Sequence, residues 1–348
     1  MLRARLAAGA AVVVLATTIV GCGSDGDDSK IGQAPPVGSH ATALVTELDR
    51  IRSTDASRAW TAYGDLARQR ALGGGTTPAR LAGLSAYGWS TTWQYDARAR
   101  RRLGLSGGTA ERVAEVGEEH GAGRFDGGVD TAAVVAEARE LGARKDGTVG
   151  TLTLWRLAPD DAVHASRALD ELSRGTADFD VLAVDEHTLV RARSRAQARV
   201  LSAVPGERTL ARDADVRAVA ECLGNPLAAT FTDAHRAPAA ASHEPAGFFT
   251  GAGVTGTDAD RLTQVACRTT ASPDEAEQVA AAVRHELDHG RTRLSRVPWR
   301  NMLSDGKVQV LDGPGHVVRI TATSRKSPQL VLEMMRSGDL SDLLDVTD

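Results

Sequence analysis

His285, Glu286 and His289 have the types and spacing of a zinc-hydrolase helix, H-E-x-x-H. In such a helix two imidazoles one turn apart bind Zn²⁺, and the glutamate acts as general base for a water molecule. The apolar positions of the same helix centre on Val283. Measured from Val283, the two histidines lie at about 200° and 240° around the helix, on the side facing solvent. The pattern therefore leaves two interpretations open, a zinc site or an ordinary exposed helix end.

The neighbouring residues favour the exposed helix end. Asp288 stands between the histidines, and Arg284 and Arg291 flank them, where cations would oppose a bound dication. Thr292 occupies the position where metzincins carry glycine. We therefore predict no catalytic residue, no resident metal and no cofactor. A zinc hydrolase with two histidine ligands and Glu286 as base is kept as the alternative.

Two glycine-rich motifs lack the context that their chemistry requires. Residues 104–108 fit G-x-S-x-G, but a nucleophile elbow needs a buried strand before the serine, and arginines precede this one. Residues 251–256 fit G-x-G-x-x-G, but they lead into a predicted strand instead of from a strand into a helix. We predict a turn at the first motif and a loop at the second.

The N-terminal residues have the composition of an export signal. Arg3 and Arg5 precede an uncharged, mostly apolar run over residues 6–20, which is shorter than the ~20 residues that a spanning helix needs. The run ends at Ile-Val-Gly-Cys, residues 19–22, which resembles a bacterial lipobox. That resemblance implies a diacylglyceryl thioether on Cys22 and cleavage immediately before it.

Lipidation of Cys22 would determine where the protein is located. Residues 1–21 become a lipoprotein signal peptide, and residues 22–40, with Gly, Ser, Asp and two prolines, a flexible tether. Two or more acyl chains give stable anchoring. We therefore expect a protein on the extracytoplasmic face of the cell membrane, in contact with the bilayer through its lipid.

Composition limits the function and suggests a crosslink. Without Arg3 and Arg5 the 41 basic residues become 39 against 45 acidic ones, a balance that argues against a nucleic-acid partner. Once Cys22 is lipidated, Cys222 and Cys267 remain of the three cysteines. An oxidising exterior favours a disulfide between them. Two separate buried thiols are the alternative.

Two parts of the chain share an order of predicted elements. Each has a strand, a helix that opens with proline (Pro159 or Pro273), a hairpin and another helix. The second proline helix also has a capping box formed by Ser272 and Glu275. The predicted strands are 84–95, 113–125, 149–157 and 262–269; the hairpins 179–185 with 188–193 and 307–312 with 316–323; the other helices 42–52, 129–141, 195–204, 216–223 and 328–336.

This order predicts an α+β fold with two β-α-β-β-α modules from an internal duplication, after an N-terminal region of helix and strand. About 300 residues suit two domains or one large domain. We place an N-terminal α+β domain at residues 41–235 and a C-terminal α+β domain at residues 246–348.

Three phrases carry a family resemblance. They are G-R-F-D at residues 123–126, V-D-E-H-T-L-V at 184–190, and T-L-A-R-D-A-D-V at 209–216, which runs on to L-G-N-P at 223–226. Over residues 110–230 the chain resembles uncharacterised exported lipoproteins of high-GC Gram-positive bacteria. The resemblance supports the architecture and implies no activity and no catalytic residues.

Together these features predict a membrane-anchored extracytoplasmic lipoprotein, a non-catalytic module that binds an unknown envelope protein, polymer or small ligand. The first alternative is the zinc hydrolase of residues 285–289. The second is a solute-binding protein that feeds a transporter, which requires a ligand-binding cleft.

Overall fold

The computed structural model describes most of the chain after residue 40. The predicted signal peptide, the predicted tether and Cys22 lie outside the described residues, all of which belong to one compact unit, Gly32–Asp348. Among them no helix is long and apolar enough to cross a bilayer. The described residues are 41–89, 96–117, 121–163, 166–173, 177–233, 248–292, 296–313, 315–324 and 326–345.

Twelve strands form one antiparallel sheet, which makes the fold α+β. The strands are β1 Thr61–Asp65, β2 Arg112–Val116, β3 Ala122–Asp126, β4 Arg144–Val149, β5 Leu152–Arg156, β6 Val181–Val184, β7 Thr188–Ala192, β8 Ala228–Asp233, β9 Phe249–Asp258, β10 Arg261–Arg268, β11 Ser304–Val310 and β12 Val318–Thr323. Their order across the sheet is β11-β12-β10-β9-β8-β1-β2-β3-β7-β6-β5-β4. The predicted domain boundary at residues 235–246 falls between β8 and β9, which pair with each other.

Helices cover both faces of this sheet. They are α1 Ala43–Leu48, α2 Asp55–Ala59, α3 Leu66–Ala71, α4 Asp96–Leu103, α5 Thr131–Glu140, α6 Arg167–Ser173, α7 Arg195–Val200, α8 Ala214–Leu223, α9 Pro273–His289, α10 Leu330–Ser337 and α11 Asp339–Leu344. On one face, α1, α7 and α8 pack in a core shared by both halves of the sheet. On the other face, α4–α6 cover the β1–β7 half and α9–α11 cover the β8–β12 half.

Most of the predicted helices and hairpins are confirmed. α1, α5, α7, α8 and α10 fall within a few residues of their predicted ranges. α9 begins at Pro273 with Ser272 as its N-cap, and Ser272 Oγ accepts a hydrogen bond from the Glu275 N–H at 3.1 Å. The hairpins β6–β7 and β11–β12 match the two predicted ones.

Several predicted elements are wrong. The single strand 113–125 is the hairpin β2–β3, and the single strand 149–157 spans the hairpin β4–β5. The helix expected to open at Pro159 begins only at Arg167. Residues 84–86 form a 3₁₀ turn and residues 87–89 a turn and coil instead of a strand, with Tyr87 and Trp89 buried in two different cores; residues 90–95 of that prediction lie outside the described residues.

The packing of α8 on the sheet depends on a disulfide and a glycine. Cys222 of α8 and Cys267 of β10 are bonded, with their Cα atoms 6.3 Å apart, which confirms the predicted disulfide. Gly251 of β9 lies directly beneath the same helix, and a Cβ atom there would be 2.4 Å from Val219 Cγ1. The G-x-G-x-x-G motif therefore lies in a strand and not in the predicted loop.

Replacing Gly251 with alanine tests this close approach. We expect Gly251→Ala to destabilise the protein by about 1–3 kcal/mol, because α8 must move to admit a methyl group. Gly253→Ala is the matched control on the same strand, since its new Cβ atom would lie 3.3 Å from the nearest neighbours. Urea unfolding would measure both. Equal losses would contradict this account of the packing.

Candidate functional site

A row of polar residues crosses one end of the β1–β7 half of the sheet. Asp65 pairs in register with Arg112, Arg112 with Asp126, and Asp126 with Thr188. Alternation along each strand sends these side chains to the face that carries α1, and Phe125 with its neighbours to the other face. The register of four strands thus brings residues from distant parts of the sequence into one line.

Arg124 and Asp126 form a buried ion pair at the centre of this row. Arg124 Nε and Nη2 donate to Asp126 Oδ2 and Oδ1 at 2.6 and 2.9 Å, and Nη1 donates to the Leu201 carbonyl at 2.8 Å. The Thr188 hydroxyl donates to Asp126 Oδ1 at 2.8 Å. Two-point pairing fixes both side chains, so the row has a rigid centre.

Glu47 reaches this centre from α1 with 1% of its surface exposed. Arg124 Nε lies 3.3 Å from its carboxyl group, and Arg50 Nη1 and Arg112 Nε lie 3.7 Å away. Neither Glu47 oxygen accepts a hydrogen bond from a described residue, so an ionised carboxylate would lack donors. Burial and the nearby Asp126 charge raise the pKa of Glu47 to about 8.

The two acids therefore share a single proton at neutral pH. Although burial alone would raise the pKa of Asp126, the Arg124 guanidinium lowers it to about 2. Asp126 is then ionised beside the protonated carboxyl group of Glu47, and its two oxygens accept hydrogen bonds from Arg124 and Thr188. One net negative charge beside Arg124 is easier to bury than two.

A cavity of about 770 Å³ opens above the ion pair, and we name it the Asp126 cleft. Ligand pockets typically span about 300–1,000 Å³. The ends of strands, the turns 127–128 and 185–187, and the segment after α7 form its walls. Its lining residues are Arg50, Glu111, Arg112, Arg124, Asp126, Gly127, Gly128, Thr151, Leu152, Asp185, Glu186, His187, Thr188, Ser202, Ala203, Val204 and Pro205.

Arg50 and Arg112 form what we call the guanidinium shelf of the cleft, with 36% and 28% of their side chains exposed. Arg50 Nη1 contacts Asp126 Oδ1 at 2.9 Å. The side chain of Arg112 makes no hydrogen bond to a described residue, and its buried Nε atom lies 3.7 Å from a Glu47 oxygen, beyond hydrogen-bond distance. Because this Nε atom is buried, an anionic group in the cavity would bind at the terminal nitrogens of the guanidinium.

The turn beneath the cleft requires glycine. Gly127 and Gly128 both have positive φ, of 67° and 65°, a conformation that side chains disfavour. A Cβ atom on Gly128 would be 2.1 Å from the Thr109 carbonyl oxygen. The Gly127 N–H donates to the His187 carbonyl at 2.8 Å, which ties the two turns of the cleft together.

The predicted histidine pair lies elsewhere. His285 and His289 are exposed on α9 with their ring centroids 5.0 Å apart. Glu286 Oε1 is 4.0 Å from His285 Nδ1. Within the described parts of the chain, no group of three or more His, Cys, Asp or Glu residues could hold a metal ion.

The G-x-S-x-G motif also lies outside the cleft. Ser106 precedes a 3₁₀ turn at residues 107–109, and the segment before it is α4 and not a strand. The motif is therefore a turn, as predicted.

The sequence contained two signals of the cleft that the prediction did not use. Glu47 lies on the apolar face of α1, between Leu44 and Ile51 at helical spacing. Arg124 and Asp126 alternate around Phe125 on a short buried strand. A charge on a buried face indicates a buried partner. The phrases 123–126 and 184–190, interpreted as packing and turn signals, both contribute residues to the cleft.

No protein-family model, no curated protein and no solved structure matches this chain.

The shared proton predicts an unusual dependence of stability on pH. A Glu47 carboxyl whose pKa rises from 4.5 to about 8 on folding favours the folded state fully at low pH. The free energy of unfolding should then fall between pH 4.5 and 8, by up to about 1.4 kcal/mol per pH unit. Glu47→Gln keeps a donor toward Asp126 and cannot ionise, so it should flatten this fall.

Urea unfolding of both proteins from pH 4.5 to 8 measures the difference. Asp180, whose pKa burial raises to about 7, contributes equally to both and cancels. On the acid side, Asp126 should lose its contribution as the pH falls from 3.8 toward 2 in both proteins. Parallel pH profiles from pH 4.5 to 8 would show that Glu47 does not hold the proton.

Proposed function

We propose that this chain is a lipid-anchored extracytoplasmic protein that binds a small polar ligand in the Asp126 cleft. The observation that carries the proposal is the Arg112 guanidinium, which lines the cavity without a hydrogen bond to any described residue. The proposal of a lipid anchor is based on the lipobox resemblance at Cys22. The proposal that the chain has no nucleic-acid partner is based on its acidic composition.

The hydroxyl groups of the cleft support binding in preference to catalysis. The Ser202 hydroxyl donates to the Ala198 carbonyl at 2.8 Å, and that of Thr188 donates to Asp126. The Ala198 carbonyl cannot take up a proton, and Arg124 lowers the pKa of Asp126 to about 2, so neither acceptor is an effective general base that could activate a nucleophile. The polar groups of the cleft floor are already paired, so they hold the shape of the site.

We also propose that the two halves of the sheet arose by internal duplication, in a register different from the predicted modules. β1–β2–β3 and α5 would correspond to β8–β9–β10 and α9. In each half the third strand pairs with the second strand of a later hairpin, β3 with β7 and β10 with β12. The segment β4–β5–α6 is then an insertion, and its turn supplies Thr151 and Leu152 to the cleft.

The anchor is tested by changing its attachment residue. Cells that express the wild type should incorporate labelled palmitate into the protein and retain it in the membrane fraction. Cys22→Ala should lose both the label and the membrane association, because no sulfur remains for the thioether. Cys222→Ser is a control that removes a cysteine distant in sequence from the lipobox. Equal labelling of the wild type and Cys22→Ala would contradict the proposal.

The cleft is tested by filling it. We would measure the melting temperature with phosphate, citrate, glucose, glycine and 6-aminohexanoate, and expect at least one to raise it, because a ligand bound only by the folded state stabilises that state. Ala203 lines the cavity, so Ala203→Phe should abolish the shift. Ala82→Phe, on an exposed residue outside the cavity lining, should leave it unchanged. A shift that persists in Ala203→Phe would place the ligand elsewhere.

A further inference from the structure

Charge in the Asp126 cleft is arranged by depth. At the floor, Arg124 and Asp126 are buried and paired with each other. Above them the guanidinium shelf is half-buried. Three exposed carboxylates stand at the opening, and we name them the acidic rim: Glu111, Asp185 and Glu186. A ligand that enters therefore meets acids first and guanidiniums further in.

The shelf has the donors for a carboxylate. Because Arg112 Nε is buried, the terminal nitrogens of Arg112 are the ones that can reach the cavity. Arg50 uses Nη1 on Asp126, and its Nη2 atom forms no hydrogen bond or ion pair with a described residue. A guanidinium fork matches the two oxygens of a carboxylate.

The rim has acceptors for a cation. Glu111 forms no ion pair with a described residue, and Glu186 Oε2 lies 3.9 Å from His187 Nε2, with no lysine or arginine nitrogen of the described residues within ion-pair distance. Asp185 Oδ1 accepts the backbone N–H groups of His187 and Thr188 at 2.9 and 2.8 Å, which fixes its carboxylate in the β6–β7 turn. An ammonium group offers three donors to such oxygens.

The overall charge of the cleft favours a ligand without net charge over a dianion. Its lining carries three guanidiniums and four carboxylates, so with His187 neutral the formal charge is already negative. A dianion such as phosphate adds to this excess, and like charges repel in a partly desolvated site. A molecule with one carboxylate and one amine adds no net charge and can satisfy both the shelf and the rim.

We infer that the ligand of the Asp126 cleft is a small zwitterion, with its carboxylate on the guanidinium shelf and its amine at the acidic rim. The inference rests on the proposed function and names the ligand class for the same cleft. Glu47 supports it from below, because a neutral carboxyl group 3.7 Å from Arg50 and Arg112 does not compete with the ligand for their positive charge.

Three probes of matched length test the inference by titration calorimetry on the folded chain. 6-Aminohexanoate has both charges, hexanoate has the carboxylate alone, and hexylamine has the amine alone. We expect 6-aminohexanoate to bind in the millimolar range or tighter and about tenfold more tightly than either of the others. Arg112→Gln should weaken it about tenfold and leave hexylamine unchanged.

Two further variants assign the two ends of the probe. Glu111→Gln with Glu186→Gln should weaken 6-aminohexanoate about tenfold and should not weaken hexanoate. Arg80→Gln is the matched control, because Arg80 is an exposed arginine paired with Asp260 outside the cavity lining. It should change none of the affinities.

The outcomes separate failure of the inference from failure of the proposed function. If hexanoate or phosphate binds as tightly as 6-aminohexanoate and Ala203→Phe abolishes that binding, the inference of a zwitterionic ligand is wrong. The cleft then remains a binding site. 6-Aminohexanoate binding that is indifferent to both Arg112→Gln and Ala203→Phe overturns the placement. No binding of the three probes overturns the inference. If, in addition, neither phosphate, citrate, glucose nor glycine raises the melting temperature in a way that Ala203→Phe abolishes, the proposed function fails too.

Discussion

One proton between two buried carboxyl groups makes the charge arrangement beneath the cleft possible. Glu47 and Asp126 approach each other next to Arg124, with 1% and 4% of their surfaces exposed. Two carboxylates there would repel each other, and one of them would lack donors. With Glu47 neutral, Arg124 balances a single charge, and α1 can pack its apolar face on the sheet. The position of α1, the rigidity of the cleft floor and the availability of the shelf arginines all follow from this protonation state.

The sheet turns that local chemistry into a site. Asp65, Arg112, Asp126 and Thr188 belong to four strands, and they meet because antiparallel registers place them opposite one another. A slip by one residue would move the row to the other face, into the core that contains Phe125. The glycine turn at residues 127–128 and the β6–β7 turn then close one side of the cleft, and the segment after α7 closes the other.

The sequence predicted the fold class, the disulfide and most helices, because helical periodicity, caps and cysteine counts are local or compositional signals. The prediction failed at the short hairpins β2–β3 and β4–β5, whose turns have a weak sequence signal. It also failed at Gly251, a strand glycine that allows a helix to pack closely on the sheet. The cleft was missed for a different reason. Arg112 and Thr188 lie beside Asp126 only because strands that are distant in sequence pair with each other. Residue spacing along the sequence does not predict that pairing. Glu47 was recognisable as an acid on an apolar helix face, and Arg124 with Asp126 as charges that alternate on a short buried strand.

The disulfide determines whether the chain stays in one piece after a backbone cut. Cys222 precedes residues 234–247 and Cys267 follows them, so the bond closes a loop that contains this whole connection. A protease that cuts within the connection would leave one molecule, held by sulfur and by the β8–β9 ladder on either side. Such a nicked protein would run as one species on a non-reducing gel and as two after reduction. The extracytoplasmic location proposed above would expose the chain to proteases and to oxidising conditions, and there the disulfide would keep the two pieces of a cut chain together.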